Sequence, residues 1–113
     1  MAGFDLDAFV AACRAAVDAG AGQKAIHDEM RAAFADTASV RATMGVPERP
    51  GVGEIYRADD LTIIKVVWRA GMTLMPHNHN MWALIGVYAG REDNIFWRRL
   101  KDAPNRIEAA GAR

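Results

Sequence analysis

The sequence predicts an antiparallel β domain, a sandwich or jelly roll, behind a helical lead-in. Three observations carry this. After Gly53 the apolar residues recur with a period of two, in short runs separated by turn residues. Before Gly45 they recur at helical spacing instead. Between the two textures lie Pro47, Pro50, Gly51 and Gly53, which end helix and mark a linker. The chain has 113 residues, 51% of them apolar, enough for the core of one domain. The expected division is a helical lead-in over 1–46 and a β region over 54–113.

Each element has its own warrant. Asp5 can cap a helix in which Leu6, Phe9, Val10, Cys13 and Val17 share a face, and Gly20 stops it. A second amphipathic segment runs from about Gln23 to Ala35, with Ile26, Met30, Ala33 and Phe34 on one side. A short third helix, Ala38 to Met44, ends at Gly45. Glu54 to Ala58 reads as the first strand, Asp59-Asp60 as its turn, and Leu61 to Trp68, rich in branched residues, as the second strand. Arg69 to Gly71 is another turn. Met72 to His77, Trp82 to Ala89 and Asn94 to Leu100 complete the candidate strands, with Gly90 to Asn94 as a hairpin connection. Ile107 to Arg113 can start one more. There is no internal repeat.

Composition removes several classes of function. Fourteen basic and fourteen acidic side chains cancel, with no basic stripe for nucleic acid and no polybasic segment for a membrane surface. No apolar run reaches transmembrane length, and the N-terminus lacks the plan of a signal peptide. The single cysteine, Cys13, excludes an internal disulfide and fits a reducing compartment. The expectation is a soluble cytoplasmic protein.

The chemistry concentrates in Gly71-Met-Thr-Leu-Met-Pro-His77-Asn-His79. On a strand, positions i and i+2 point to one side, so both imidazoles can reach a common point. Histidine is the commonest metal ligand, and such a pair is half of a transition-metal site. A His-x-His on an exposed strand can equally be inert. The third histidine, His27, borders the apolar face of the second helix. Glu92 and Asp93 sit in a turn, where acidic residues are ordinary. Cys13 reads as a small helix-face hydrophobe. Met72, Met75, Trp68, Trp82 and Trp97 read as core or pocket wall, Trp82 as pocket lining because it follows the histidines.

Gly71, five residues, His77-x-His79, three residues, Ala83, six residues and Gly90 together resemble the first motif of the cupins. In that motif two histidines bind metal and a glutamate supplies a further ligand. Here the glutamate position holds Ala83, or Leu84 if one residue is inserted. Thiol dioxygenases, a branch of the cupins, also lack that glutamate and bind iron through three histidines. Pro76-His77-Asn78-His79, the Trp82 to Tyr88 run and Gly90 to Asn94 are similar to the bacterial cysteine dioxygenase-type subgroup.

The resemblance implies a double-stranded β-helix barrel with Fe(2+) held by His77 and His79, and oxidation of a small thiol by O2 to a sulfinic acid. It also implies a substrate carboxylate held by an arginine, for which Arg57 is the candidate, since a guanidinium forks onto carboxylates. The cysteine–tyrosine crosslink of the animal enzymes has no counterpart cysteine. The second cupin motif, with its third metal histidine, does not occur before Arg113. The expectation is therefore a barrel incomplete at its end, whose exposed sheet edges and apolar face invite association. Iron binding and turnover are expected to be weak or absent in this chain alone.

Two other readings stay open. A non-catalytic half-barrel would act as an oligomeric or interaction module, and a homodimer would pool two His-x-His pairs. A different metal-dependent cupin, such as an isomerase or a quercetinase-like dioxygenase, would ordinarily carry the missing glutamate.

Overall fold

Three helices form on apolar stripes; the first and third have an aspartate cap and a glycine stop, while the middle one has no side-chain cap. The computed structural model describes residues 3–113, so the first two residues of the expected lead-in lie outside the described residues. Helix α1 spans Leu6–Asp18; the Asp5 carboxylate accepts from the Ala8 amide at 3.1 Å, satisfying one of the free donors of the first turn. Gly20, at φ 76°, turns the chain out of it. Helix α2, Gly22–Phe34, follows at once. Helix α3, Thr37–Met44, is capped by Asp36 onto the Ser39 amide and ends at Gly45 with φ 87°.

The core sits between α1, α2 and the first hairpin. Cys13, Ile26 and Leu61 are buried together, with Phe9, Val17, Met30, Tyr56, Ile63 and Leu84 packed around them. Val40 of α3 is also buried. Arg14 ties α1 to the hairpin turn: its guanidinium donates to Asp18 at 2.6 Å and to Asp60 at 2.7 Å. The Arg14 hydrogen bonds hold the Asp60 carboxyl below its ordinary value. Lys65 reaches back to the Met44 carbonyl at 2.8 Å, which places a cation at the C-terminal end of α3.

Strands β1, Gly51–Ala58, and β2, Leu61–Val67, pair antiparallel across the Asp59-Asp60 turn. The register runs from Ala58 opposite Leu61 to Gly51 opposite Val67, and Ile55 is the extra residue of a bulge in β1. Strands β3, Ile95–Arg99, and β4, Ile107–Ala112, make a second antiparallel pair, with Ala110 the extra residue of a bulge in β4. Asn94 and Arg113 exchange both backbone hydrogen bonds beyond it. Every residue of β3 and β4 is exposed.

The expected all-β jelly roll is not formed. The chain is a mixed structure of three helices and two separate two-stranded antiparallel sheets, and no cupin barrel closes. Met72 to His77 and Trp82 to Ala89 join no sheet, and Gly90 to Asn94 turns no hairpin. The reason is pairing. A strand exists only with a partner for its N–H and C=O groups, and each hairpin here closes on its sequence neighbour. The run between them is left without one: no backbone N–H from Thr73 to Asp93 donates to another described residue.

The consequence is an open shape. The radius of gyration is 16.2 Å, against about 13 Å for a compact chain of this length. The accessible surface is 9079 Å², about 3,000 Å² more than a compact chain of this size exposes. Among the described residues, no helix is long and apolar enough to cross a membrane.

Candidate metal-binding segment

The candidate ligands lie on the extended run that leaves β2. The Met72 amide donates to the Arg69 carbonyl at 3.1 Å, and Gly71, at φ 74°, closes that turn. The chain then runs through Met75 and Pro76 to His77 and His79. Their ring centres are 5.2 Å apart and the rings are inclined at 73°. Two imidazoles sharing one ion, with metal–nitrogen bonds of about 2.1 Å, place their ring centres about 4.5–5.5 Å apart. The separation therefore fits a shared ion.

Electrostatics adds a second element. His77 Nδ1 lies 2.9 Å from the Met75 carbonyl oxygen. A carbonyl only accepts, so the hydrogen bond requires the proton on Nδ1. That leaves the Nε2 lone pair for a metal, and a hydrogen bond to the other ring nitrogen commonly orients ligand histidines in this way. After His79 the chain turns sharply, with Asn80 at φ 57°, a left-handed conformation that asparagine tolerates. Both histidines are exposed.

The remaining candidates are placed elsewhere. Arg57 stands exposed on β1, and its Nε donates to Glu54 Oε2 at 3.0 Å. Trp82 is half-exposed and lies over the first turn of α2, beside Gly22. Leu84 packs on the helical core and Ala83 is exposed, so the position of the absent glutamate carries no donor. His27 faces an open groove with Gln23, Lys24 and Leu84. Asp93 is engaged by Arg91 at 2.7 Å. Cys13 is buried, and burial, with the Glu29 charge behind it, pushes its thiol up. Among the described residues, no group of three His, Cys, Asp or Glu stands close enough to hold an ion. The residues fit a metal as two ligands and do not complete its shell.

Met75, expected as core or pocket wall, is instead on the surface, and Met81, to which the sequence pattern gave no role, joins it there. Met75 and Met81 are 79% and 78% exposed, more than any other large hydrophobic described, and they bracket the histidines. Trp68, Met72 and Trp97 are also exposed rather than core, because the sheets that would cover them are absent.

The segment beyond Asn80 shows what the alternating pattern was for. Leu84, Gly86 and Tyr88 turn toward the helices, while Ala83, Ile85 and Val87 face outward. Gly86 lets the backbone approach the Phe34 ring closely: a β-carbon there would meet the ring edge and force it to move. Tyr88 meets the same ring edge-on at 6.5 Å, and its carbonyl accepts from Arg41. The run is a strand in its alternation without a strand's partner. No protein-family model, curated protein or solved structure matches this chain.

Proposed function

We propose that His77 and His79 are two of the ligands of a ferrous centre of the thiol dioxygenase type, in a cytoplasmic protein. The observation that supports this is the neighbouring pair, with ring centres 5.2 Å apart and His77 Nδ1 engaged by the Met75 carbonyl. Bound iron would supply open positions for a small thiol and O2, and the overall change adds both oxygen atoms to the thiol sulfur to give the sulfinic acid. Neutral imidazoles leave the cation's charge uncompensated, which favours an anionic sulfur ligand. Arg57 can offer its terminal nitrogens to a substrate carboxylate, because Glu54 engages only its Nε. Trp82 would supply apolar wall. Among the described residues no third ligand of the usual kinds stands beside the pair, so this chain alone should hold iron weakly and not turn over.

The test is anaerobic titration with Fe(II) or Co(II), with oxygen uptake measured in the presence of cysteine, cysteamine or 3-mercaptopropionate. Weak binding that His77→Ala and His79→Ala both abolish supports the reading. Binding indifferent to both changes refutes it.

A second reading, a non-catalytic association module, is supported by a separate observation. The outward row Ala83, Ile85 and Val87 runs along an unpaired backbone on a chain with excess surface. Pairing with a second copy would satisfy both. Sedimentation showing a monomer at all concentrations would exclude it.

A further inference from the structure

The segment carrying the two histidines carries two methionines in the same alternation, Met75-Pro-His77-Asn-His79-Asn-Met81. The ferrous reading does not use their thioethers. Their exposure means that neither thioether is occupied in packing. A thioether is also a soft donor that selects cuprous copper, and imidazole binds copper as well. We propose that Met75, His77, His79 and Met81 form a surface site for a cuprous ion, supplying two sulfurs and two imidazole nitrogens.

Four features of the chain support this donor set. The Met75 carbonyl holds the His77 ring, so the first sulfur-bearing residue and the first imidazole form one local unit. The left-handed turn at Asn80 bends the chain between His79 and Met81. Methionine is unbranched with three rotatable bonds, and an unpacked one can adapt its sulfur to an ion after that bend. The set holds no carboxylate, the donor that harder ions such as magnesium or calcium prefer. The natural competitor is a thiolate, but Cys13 is enclosed between the helices.

The site shares its histidines with the proposed ferrous centre; of that reading it needs only the histidine pair, and neither the missing ligand nor the oxidation. Its test is an anaerobic titration of the whole chain with Cu(I) against bicinchoninate, run beside a Co(II) titration. One Cu(I) per chain is expected. Met75→Leu with Met81→Leu preserves side-chain size at exposed positions and should weaken Cu(I) by about tenfold or more, since even the loss of an outer-shell partner costs about 10–100-fold. The same pair of changes should leave Co(II) binding unaltered, and His77→Ala should weaken both ions. X-ray absorption of the copper form should show sulfur beside nitrogen.

The inference is overturned if the leucine variant keeps full Cu(I) affinity, if no Cu(I) binds, or if Cys13→Ser removes it. Methionine-dependent Cu(I) binding without any Co(II) or Fe(II) binding would sink the ferrous reading alone. Divalent binding with Cu(I) indifferent to the methionines would sink this one alone.

Discussion

The chain up to Val67 and the chain beyond it obey the same local rules with different results. The first part has capped helices, a buried cluster and cross-ties from Arg14 and Lys65. The second has one exposed hairpin and a long run whose amides have no partner among the described residues. A shortage of apolar side chains does not separate them, since the second part holds all three tryptophans together with three isoleucines and three methionines. What separates them is whether each element finds its partner nearby in sequence. Apolar residues form a core only when a second surface arrives to meet them.

The sharpest way to break this contrast is to remove the core of the first part. Ile26 is 5% exposed, and Ile26→Ala should cost about 2–5 kcal/mol. The loss should appear as a lowered thermal midpoint in circular dichroism, with the helical signal lost as one transition. An unchanged midpoint would mean the first part is not the stable unit.

A smaller effect should come from the seam between the two parts. Gly86→Ala places a methyl group against the Phe34 ring and should cost about 1–3 kcal/mol as overpacking. Cleavage by protease near residues 82–88 should speed up, and adding Phe34→Ala should partly restore protection. Equal cleavage in the single and double variants would show that the ring is not the obstacle.

The Arg14–Asp60 tie gives a pH-dependent handle. The folded Asp60 carboxyl is held low by Arg14, so the unfolded chain binds its proton more readily and stability rises with pH through that interval. The contribution is present above the ordinary carboxylate value of about 3.9 and is lost as pH falls through the lower folded value. Asp60→Asn should flatten the acid limb of the stability curve relative to the parent. An unaltered limb would show that the tie has no share in it.

The smallest effect on folding should come from the outward row. Ile85→Lys with Val87→Lys should leave the stability within about 0.5 kcal/mol of the parent, as for exposed sites without partners. The same pair should reduce self-association in sedimentation. A large loss of stability would mean that these side chains are already covered.

The helices were legible because their signals are local. Asp5, Gly20 and Gly45 mark boundaries that the backbone obeys within a residue or two. The Asp59-Asp60 turn likewise set β1 against β2. Trp82 to Ala89 showed an alternation, and the alternation is real, but its inward half packs on helices. Period two reports two unlike faces and does not name what covers either one. Ile95 was expected to pair backward across Gly90 to Asn94, and it pairs forward with β4, because hairpin partners compete and turn residues alone do not choose between them. The histidine pair was legible for the same reason as the caps: residues two apart lie close together whenever the chain is extended. Further ligands would come from distant positions, about which a local pattern is silent.

The two bulges have a consequence for how the chain meets its own copies. A two-stranded sheet exposes both outer edges, so this molecule presents four places where another chain could add by backbone pairing. Ile55 in β1 and Ala110 in β4 interrupt the regular spacing of outward donors and acceptors and tighten the local twist. An incoming strand would lose register there after a few residues. The Trp82 to Tyr88 run has no such interruption. Fibril growth, where it occurs, is expected to seed on that run, and limited proteolysis of the fibrils would protect it first; protection of β1 or β4 in its place would reverse the assignment.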